Sequence, residues 1–352
     1  MSYAFSQRRL AVLNAAPLLA LALSLGTAAP AGAQSLPPEQ GKVAATQVEV
    51  TAVPVPLDPK DTARSTVGAL TYTGGLQLRS EDANFGGISG LVVEENGCHF
   101  IAMSDRGTWF SGEMVYEKDK VSGLANVEEA PMRDWRGRPL DFSNNDSEGL
   151  AFGPKGIVVS FEGFHRIWRY SLKSLDEPTL LFKQTALAIE PIPGMAELPR
   201  NGGVEALAEL TDGRLLAITE EGRTEAGEAV AWLISEDGAE PLSLPVSGNF
   251  KPTDATALGN GDVLLLERRF SLLTGAAMRL RLIRAASIAP GGSMQAQTLA
   301  TIEPPMTVDN MEAVAAIPAE DGGYRIFVAS DDNFNLLQRT LLLTFHWQPQ
   351  SQ

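Results

Sequence analysis

Short apolar runs, each closed by a Gly-containing turn or a polar cluster, recur along the chain, and no long stretch keeps apolar residues at helical spacing after the first forty positions. Runs of this kind predict strands. One two-strand unit repeats five times: ISGLVVEENGCHFIAMSDRG from Ile88, SEGLAFGPKGIVVSFEG from Ser147, VEALAELTDGRLLAITEEG from Val204, ATALGNGDVLLLERR from Ala255, and MEAVAAIPAEDGGYRIFVASDDN from Met311. Each has an apolar strand, a turn, a second apolar strand and a polar cluster. With Ser89, Glu148, Glu205, Thr256 and Glu312 taken as equivalent, the spacings are 59, 57, 51 and 56 residues. That leaves room for two further strands per unit, and RIWRYSL, AVAWLIS, MRLRLIRA and LLLTFHW supply candidates after the second to fifth repeats.

Four-stranded units at this period predict an all-β fold, a β-propeller with five blades counted and a sixth left open. VGALTYTGGLQL, near residues 67–78, either completes the last blade or belongs to a sixth. Joined to LLLTFHW, it would close the ring and leave no free sheet edge. Residues 184–203 read as a loop punctuated by Pro and Gly.

The N-terminal region follows a different grammar. Arg8 and Arg9 precede an apolar run from Leu10 to Leu25 and the small residues Ala31, Gly32 and Ala33, the layout of a secretory signal cleaved near Ala33. The expected organisation is therefore a signal peptide over 1–33, a lead-in over 34–65 whose prolines oppose regular structure, and a propeller domain over 66–348. A periplasmic or secreted protein with no membrane span follows. The lone Cys98 has no partner for an intramolecular disulfide and reads as a buried, inert thiol.

The formal charge is -15, from 28 basic and 43 acidic residues, and becomes -17 once residues 1–33 are removed. So acidic a chain is a poor nucleic-acid binder, and cations become the natural partners. In an antiparallel hairpin the start of the first strand lies beside the end of the second. Glu148, Glu205 and Glu312 occupy starts, while Asp105, Glu162, Glu220, Glu267 and Asp331 occupy ends, so all eight are expected on one face. If the hairpins are innermost, the eight converge on the axis. Convergent carboxylates repel, and a proton, an arginine or a cation must intervene. Arg106, Arg166, Arg268 and Arg269 stand near the same ends, and calcium suits an oxygen-rich remainder. His99 and His346 lie in strand-like runs; His165 belongs to the polar rim and is a candidate acid, base or phosphate contact. Scattered histidines make zinc a poor fit, and there is no GxSxG elbow, P-loop or dinucleotide fingerprint.

The segments GGISGL, AMSDRG, NNDSEGLAF, SFEGFHRIWRY, NGGVEAL, VDNMEAV and VASDDNFN, spread from about Leu70 to Trp347, resemble a bacterial exported family of phytase-like domain proteins, described as having esterase-like activity of phytase. The resemblance implies a propeller and a phosphoesterase activity, and its repeated acids match the eight carboxylates named above. Thr256, at the strand start of the fourth repeat, departs from the pattern.

Three functions follow. In a calcium-dependent phosphoesterase, Glu148, Glu205, Glu312 and Asp331, with Glu220 and Glu267, hold metal; Asp105 or Glu162 acts as base and Arg106 and Arg166 hold phosphate. His165 joins that catalytic group. The substrate would be a small phosphate ester or other ester, and the protein a monomer. The alternatives are a non-catalytic exported binding propeller and a lactonase-like hydrolase using the same metal site.

Overall fold

The computed structural model describes residues 45–189 and 191–349. The signal-peptide reading and the first part of the lead-in fall outside the described residues. Among the described residues four strands precede the first repeat: β1 (Thr46–Gln47), β2 (Thr51–Pro54), β3 (Thr66–Val67) and β4 (Leu70–Arg79). Blade one is β5 (Ile88–Val93), β6 (His99–Ser104), β7 (Thr108–Glu117) and β8 (Lys120–Pro131); blade two is β9 (Ser147–Gly153), β10 (Gly156–Phe161), β11 (Arg166–Tyr170) and β12 (Leu187–Ala188). Blade three is β13 (Val204–Glu209), β14 (Leu215–Arg223), β15 (Ala229–Ser235) and β16 (Gly238–Leu244). Blade four is β17 (Lys251–Ala257), β18 (Val263–Ser271), β19 (Gly275–Ile283) and β20 (Ala296–Ile302), and blade five contributes β21 (Asn310–Pro318), β22 (Tyr324–Asp331) and β23 (Thr340–Trp347).

Five antiparallel sheets result, and they form a five-bladed β-propeller. The first strands β5, β9, β13, β17 and β21 are innermost and pack against one another in that order, with β21 returning to β5. The N-terminal β4 pairs with β23, from Thr340 opposite Leu78 to Trp347 opposite Leu70, and completes blade five. Among the described residues no sixth blade forms.

The apolar runs explain the stacking of the blades. Strand β23, TLLLTFHW, is apolar on both faces, and alternation sends its side chains to two different neighbours. Leu341, Leu343 and Phe345 join a cluster with Leu264, Leu280 and Leu282 of blade four, whereas Leu342 packs with Leu91 and Phe100 of blade one. A half-solvated sheet would show polar residues at every second place; these strands do not, because each blade is covered on both sides.

Each inner hairpin carries a register irregularity near its start: at Ser89, at Glu148 and Gly149, at Glu205, at Thr253 and at Glu312. A bulge of this sort re-aims one side chain. It recurs five times at the same end of the ring.

Three readings change. Part of the lead-in is regular despite its prolines, because β1 adds to β8 and β2 adds to β4 at the outer edges of blades one and five, where a ladder tolerates Pro54. Cys98 is exposed rather than buried, since it sits in the turn before β6 with its N–H donating to Asn96 Oδ1 at 2.6 Å. Thr256 is not the fourth strand-start residue; the irregularity places Thr253 there. Thr256 instead lines a cavity of about 200 Å³ at the opposite end of the inner strands. Among the described residues no helix is long and apolar enough to cross a membrane.

Candidate functional site

The hairpin register defines two ring positions per blade. The bulged position holds Ser89, Glu148, Glu205, Thr253 and Glu312 in blades one to five. The position just beyond the second strand's first pairing holds Asp105, Glu162, Glu220, Arg268 and Asp331. Backbone contacts fix this equivalence. The N–H of Asp105 donates to Gly87 O at 2.9 Å, that of Glu162 to Asp146 O at 2.8 Å and that of Glu220 to Gly203 O at 2.9 Å. In the same register, Lys251 is opposite Arg268 and Asn310 is opposite Asp331.

The structure therefore brings Asp105, Glu148, Glu162, Glu205, Glu220, Glu312 and Asp331 to one mouth, and leaves Glu267 out. Glu267 is one residue before the ring position, so the pleat turns it to the other face. There it is fully buried between Arg279, 2.5 Å from its Oε2, and Arg281, 3.0 Å from its Oε1. It staples β18 to β19 and is not available to a metal.

Arg268 takes the place expected for an acid. Its Nε lies 2.5 Å from Glu312 Oε1 and its Nη2 3.2 Å from Glu220 Oε1. Lys251 adds a second cation, 3.5 Å from Glu220 and also paired with Glu221. Burial alone would lower the Arg268 pKa, but Glu312, Glu205, Glu220 and Glu148 together outweigh it and hold the guanidinium firmly protonated. Thr253 Oγ1 turns aside and donates to Met311 O at 3.3 Å.

The side formed by blades one and two is different. Asp146, Glu148 and Glu162 each offer an oxygen atom within 4.8 Å of the others. Glu162 Oε1 accepts the N–H groups of Gly202 and Gly203, both at 2.5 Å. A Cβ on Gly203 would lie 2.6 Å from His165 Nδ1, so only glycine lets the imidazole and this amide share the space. His165 Nε2 is 2.9 Å from Pro199 O, leaving Nδ1 buried with no hydrogen-bond partner. Asp105 Oδ1 is likewise buried without a partner. Asp331 Oδ1 accepts the Asn333 N–H at 2.5 Å.

Burial is the main reason that Asp105, Glu148, Glu162, Glu205, Glu312 and Asp331 lie above the usual carboxyl range. Asp105 is raised to about 7, with Asp331 adding to the effect of burial. Asp331 itself is raised to about 6 and Glu312 to about 8, in each case against the pull of Arg268. Glu148 rises well above the usual range through burial and the charge of Glu205, and Glu205 does so through burial and the charges of Glu220 and Glu312. Glu162 rises too, despite its two amide donors.

Arg166 is committed elsewhere. Its guanidinium lies 3.8 Å over the Phe161 ring and 4.3 Å over Trp168, and donates to the carbonyls of Phe164 and Asn144. Its pKa falls to about 10, chiefly through burial. Arg106 stacks 3.3 Å over Phe334 beside the mouth. His99 and His346 pair with Glu94 at 2.7 Å and Asp321 at 3.0 Å, both away from the ring.

Sequence reasoning missed Asp146 and Lys251, which lie two residues before the bulged position. The signal was present: Asp146, Lys251 and Asn310 precede Glu148, Thr253 and Glu312 by the same step. An all-oxygen donor set with an unpartnered buried carboxylate oxygen fits a hard cation such as calcium, not zinc.

A sequence profile described as Phytase-like, esterase-like activity of phytase, matches residues 83–334. A comparison with curated proteins gives no match. Among solved structures, the chain is similar to an endo-arabinase from Bacteroides thetaiotaomicron at 11% identity, covering 82% of this chain and 99% of that one, with a TM-score of 0.45. It is also similar to a gluconolactonase from Xanthomonas campestris (11% identity, 84% and 97% covered, TM-score 0.40) and to a mannose phosphorylase from Leishmania mexicana (14%, 75% and 85%, 0.39).

Proposed function

The chain belongs to the Phytase-like family, described as esterase-like activity of phytase, and we propose that it is an exported, calcium-dependent hydrolase acting on a small phosphate ester. The observation that carries this reading is the Asp146, Glu148 and Glu162 group, whose oxygens all lie within 4.8 Å of one another, next to an Asp105 oxygen with no partner. Asp146, Glu148 and Glu162 would hold the ion, with Asp105 beside it, and bound calcium would supply charge neutralisation and a more acidic water.

The chain's own residues have distinct tasks. The Gly202 and Gly203 amides fix Glu162, so one oxygen of the donor set is oriented before any ligand arrives. Asp105, raised to about 7, is matched to accept a proton from water near neutral pH. As the water oxygen bonds to phosphorus, the bond from phosphorus to the alcohol oxygen breaks and that oxygen takes up a proton. Arg106, Lys251 and the guanidinium edge of Arg268 are the cations at the mouth for an anionic substrate, which must otherwise approach a chain of net charge -15. Export is supported by the Arg8 to Ala33 pattern.

A non-catalytic binding propeller would pair every rim acid with arginine or amide. Glu220 and Glu312 follow that pattern; the unpartnered oxygen of Asp105 supports open coordination on the other side.

The test is phosphate release from p-nitrophenyl phosphate and from phytate, in calcium and in chelator. Calcium-dependent turnover is expected, with Glu148→Gln lowering it by at least the ~10- to 100-fold typical of disturbing a metal's outer-shell partner. No calcium-dependent release from any phosphate ester overturns the phosphoesterase; metal-dependent opening of lactones in its place points to the uncharged-substrate hydrolase.

A further inference from the structure

Blade four breaks the acidic pattern at both ring positions at once, and the replacement is not neutral. We propose that Arg268 is a resident cation standing where a second metal ion would otherwise sit, so that the mouth takes a single divalent cation, on the side of blades one and two. The inference rests on the metal-binding reading above and adds to it how many ions bind and where. Three observations carry it. Arg268 is in register with Asp105, Glu162, Glu220 and Asp331, at the one ring position of its kind that lacks an acid. Its guanidinium bridges acids of the two flanking blades, Glu220 of blade three and Glu312 of blade five, as a cation shared between them would. The companion bulged residue is Thr253, whose hydroxyl donates to backbone carbonyls of its own and the next blade, so neither ring position of blade four offers a carboxylate; the neighbouring buried Asp254 is occupied by the N–H groups of Ala255 and Val314, at 2.8 and 2.6 Å.

Charge and geometry then divide the mouth. Glu205, Glu220 and Glu312 surround Arg268, and their fields act on it strongly. A guanidinium is always charged and presents a fork of donors, so it can satisfy two carboxylates without expelling protein ligands. A divalent ion brought to the same acids would meet that fixed positive charge. Asp146, Glu148 and Glu162, with Asp105 beside them, keep the arrangement a cation needs.

The experiment counts ions rather than turnover. Calcium binding is measured by calorimetry, and terbium luminescence is titrated in parallel, for the full chain and for Arg268→Glu, Arg268→Gln and Arg268→Lys. The expected result is about one ion per chain in the wild type and in Arg268→Lys, and about two in Arg268→Glu, which restores an acid to the ring. Arg268→Gln is expected to lose thermal stability in chelator and recover it in calcium, with a larger calcium-induced rise in Tm than the wild type. Adding Glu312→Gln to Arg268→Glu should remove the second ion, while Glu312→Gln alone leaves the first. An unchanged count in folded Arg268→Glu, or loss of the wild-type ion in Glu312→Gln, overturns the proposal. So does failure of both the Glu and Gln variants to fold in calcium, since a position able to trade arginine for metal must be rescued by it. A wild type that binds no divalent ion overturns the preceding reading instead, and calcium rescue of Arg268→Glu still decides this one.

Discussion

A carboxyl buried among carboxyls keeps the fold together only while it keeps its proton or gains a cation, and this protein holds several in that state. For Asp105, raised to about 7, Asp331, to about 6, and Glu312, to about 8, the native chain binds more protons than the unfolded chain between the ordinary carboxyl pKa and the raised one. Stability therefore falls as pH rises through that window. In chelator, Tm is expected to drop between about pH 5 and pH 8, and calcium should reverse most of the drop at pH 8 while doing little at pH 5. Asp105→Asn removes one of the groups concerned, so its Tm in chelator should exceed that of the wild type at pH 8. A Tm independent of pH in chelator would mean that these acids are not held in a shared, desolvated ring.

At the scale of the strand, one residue of register decides which face a side chain joins. The hairpin grammar, with its apolar runs on both faces, made the strands and the propeller legible, and strand ends placed most of the acids at one end. Blade four was misread because Thr256, Ala257 and Leu258 imitate Glu205, Ala206 and Leu207, whereas the turn at Gly259–Asp262 aligns with Thr211–Arg214 and sets the register three residues earlier. On the second strand a separate one-residue error made Glu267, the first charged residue after the apolar run, look like a ring acid and hid Arg268. Pattern reading sees the order of residue types, but a bulge and a turn length fix which of two adjacent residues faces the axis. Gly149 tests how closely the inner strands approach. A Cβ there would lie 2.2 Å from Glu205 O, a backbone atom of the next blade, and 2.6 Å from Ser160 Oγ, which accepts the Gly149 N–H. Gly149→Ala should cost about 1–3 kcal/mol by overpacking and weaken calcium binding, since Glu148 and Glu205 flank the displaced contact. Gly259→Ala, which meets nothing within 4 Å, should stay within about 0.5 kcal/mol in the same denaturation experiment.

For the whole molecule, the ring is closed by a strand far from its partner in sequence, and this makes the mouth a property of the complete circle. The ladder from Thr340–Leu78 to Trp347–Leu70 joins the N-terminal side of the domain to its last blade. Without β4, strand β23 would present TLLLTFHW as an unpaired apolar edge, a template for association with other chains. The loss would also reach the site, because β21 and β22 carry Glu312 and Asp331 and pack against β5, which precedes Asp105 by one hairpin. A chain starting after residue 80 should therefore aggregate on size-exclusion chromatography and lose both cooperative unfolding and calcium binding. A chain starting near residue 64 loses β1 and β2 but keeps β4, so it should remain monodisperse, with a lower Tm and unaltered calcium stoichiometry. Equal behaviour of the two truncations would place the closure of the ring elsewhere. If the longer deletion alone abolishes calcium binding, acids contributed by separate blades work together because the N-terminal strand holds the circle shut.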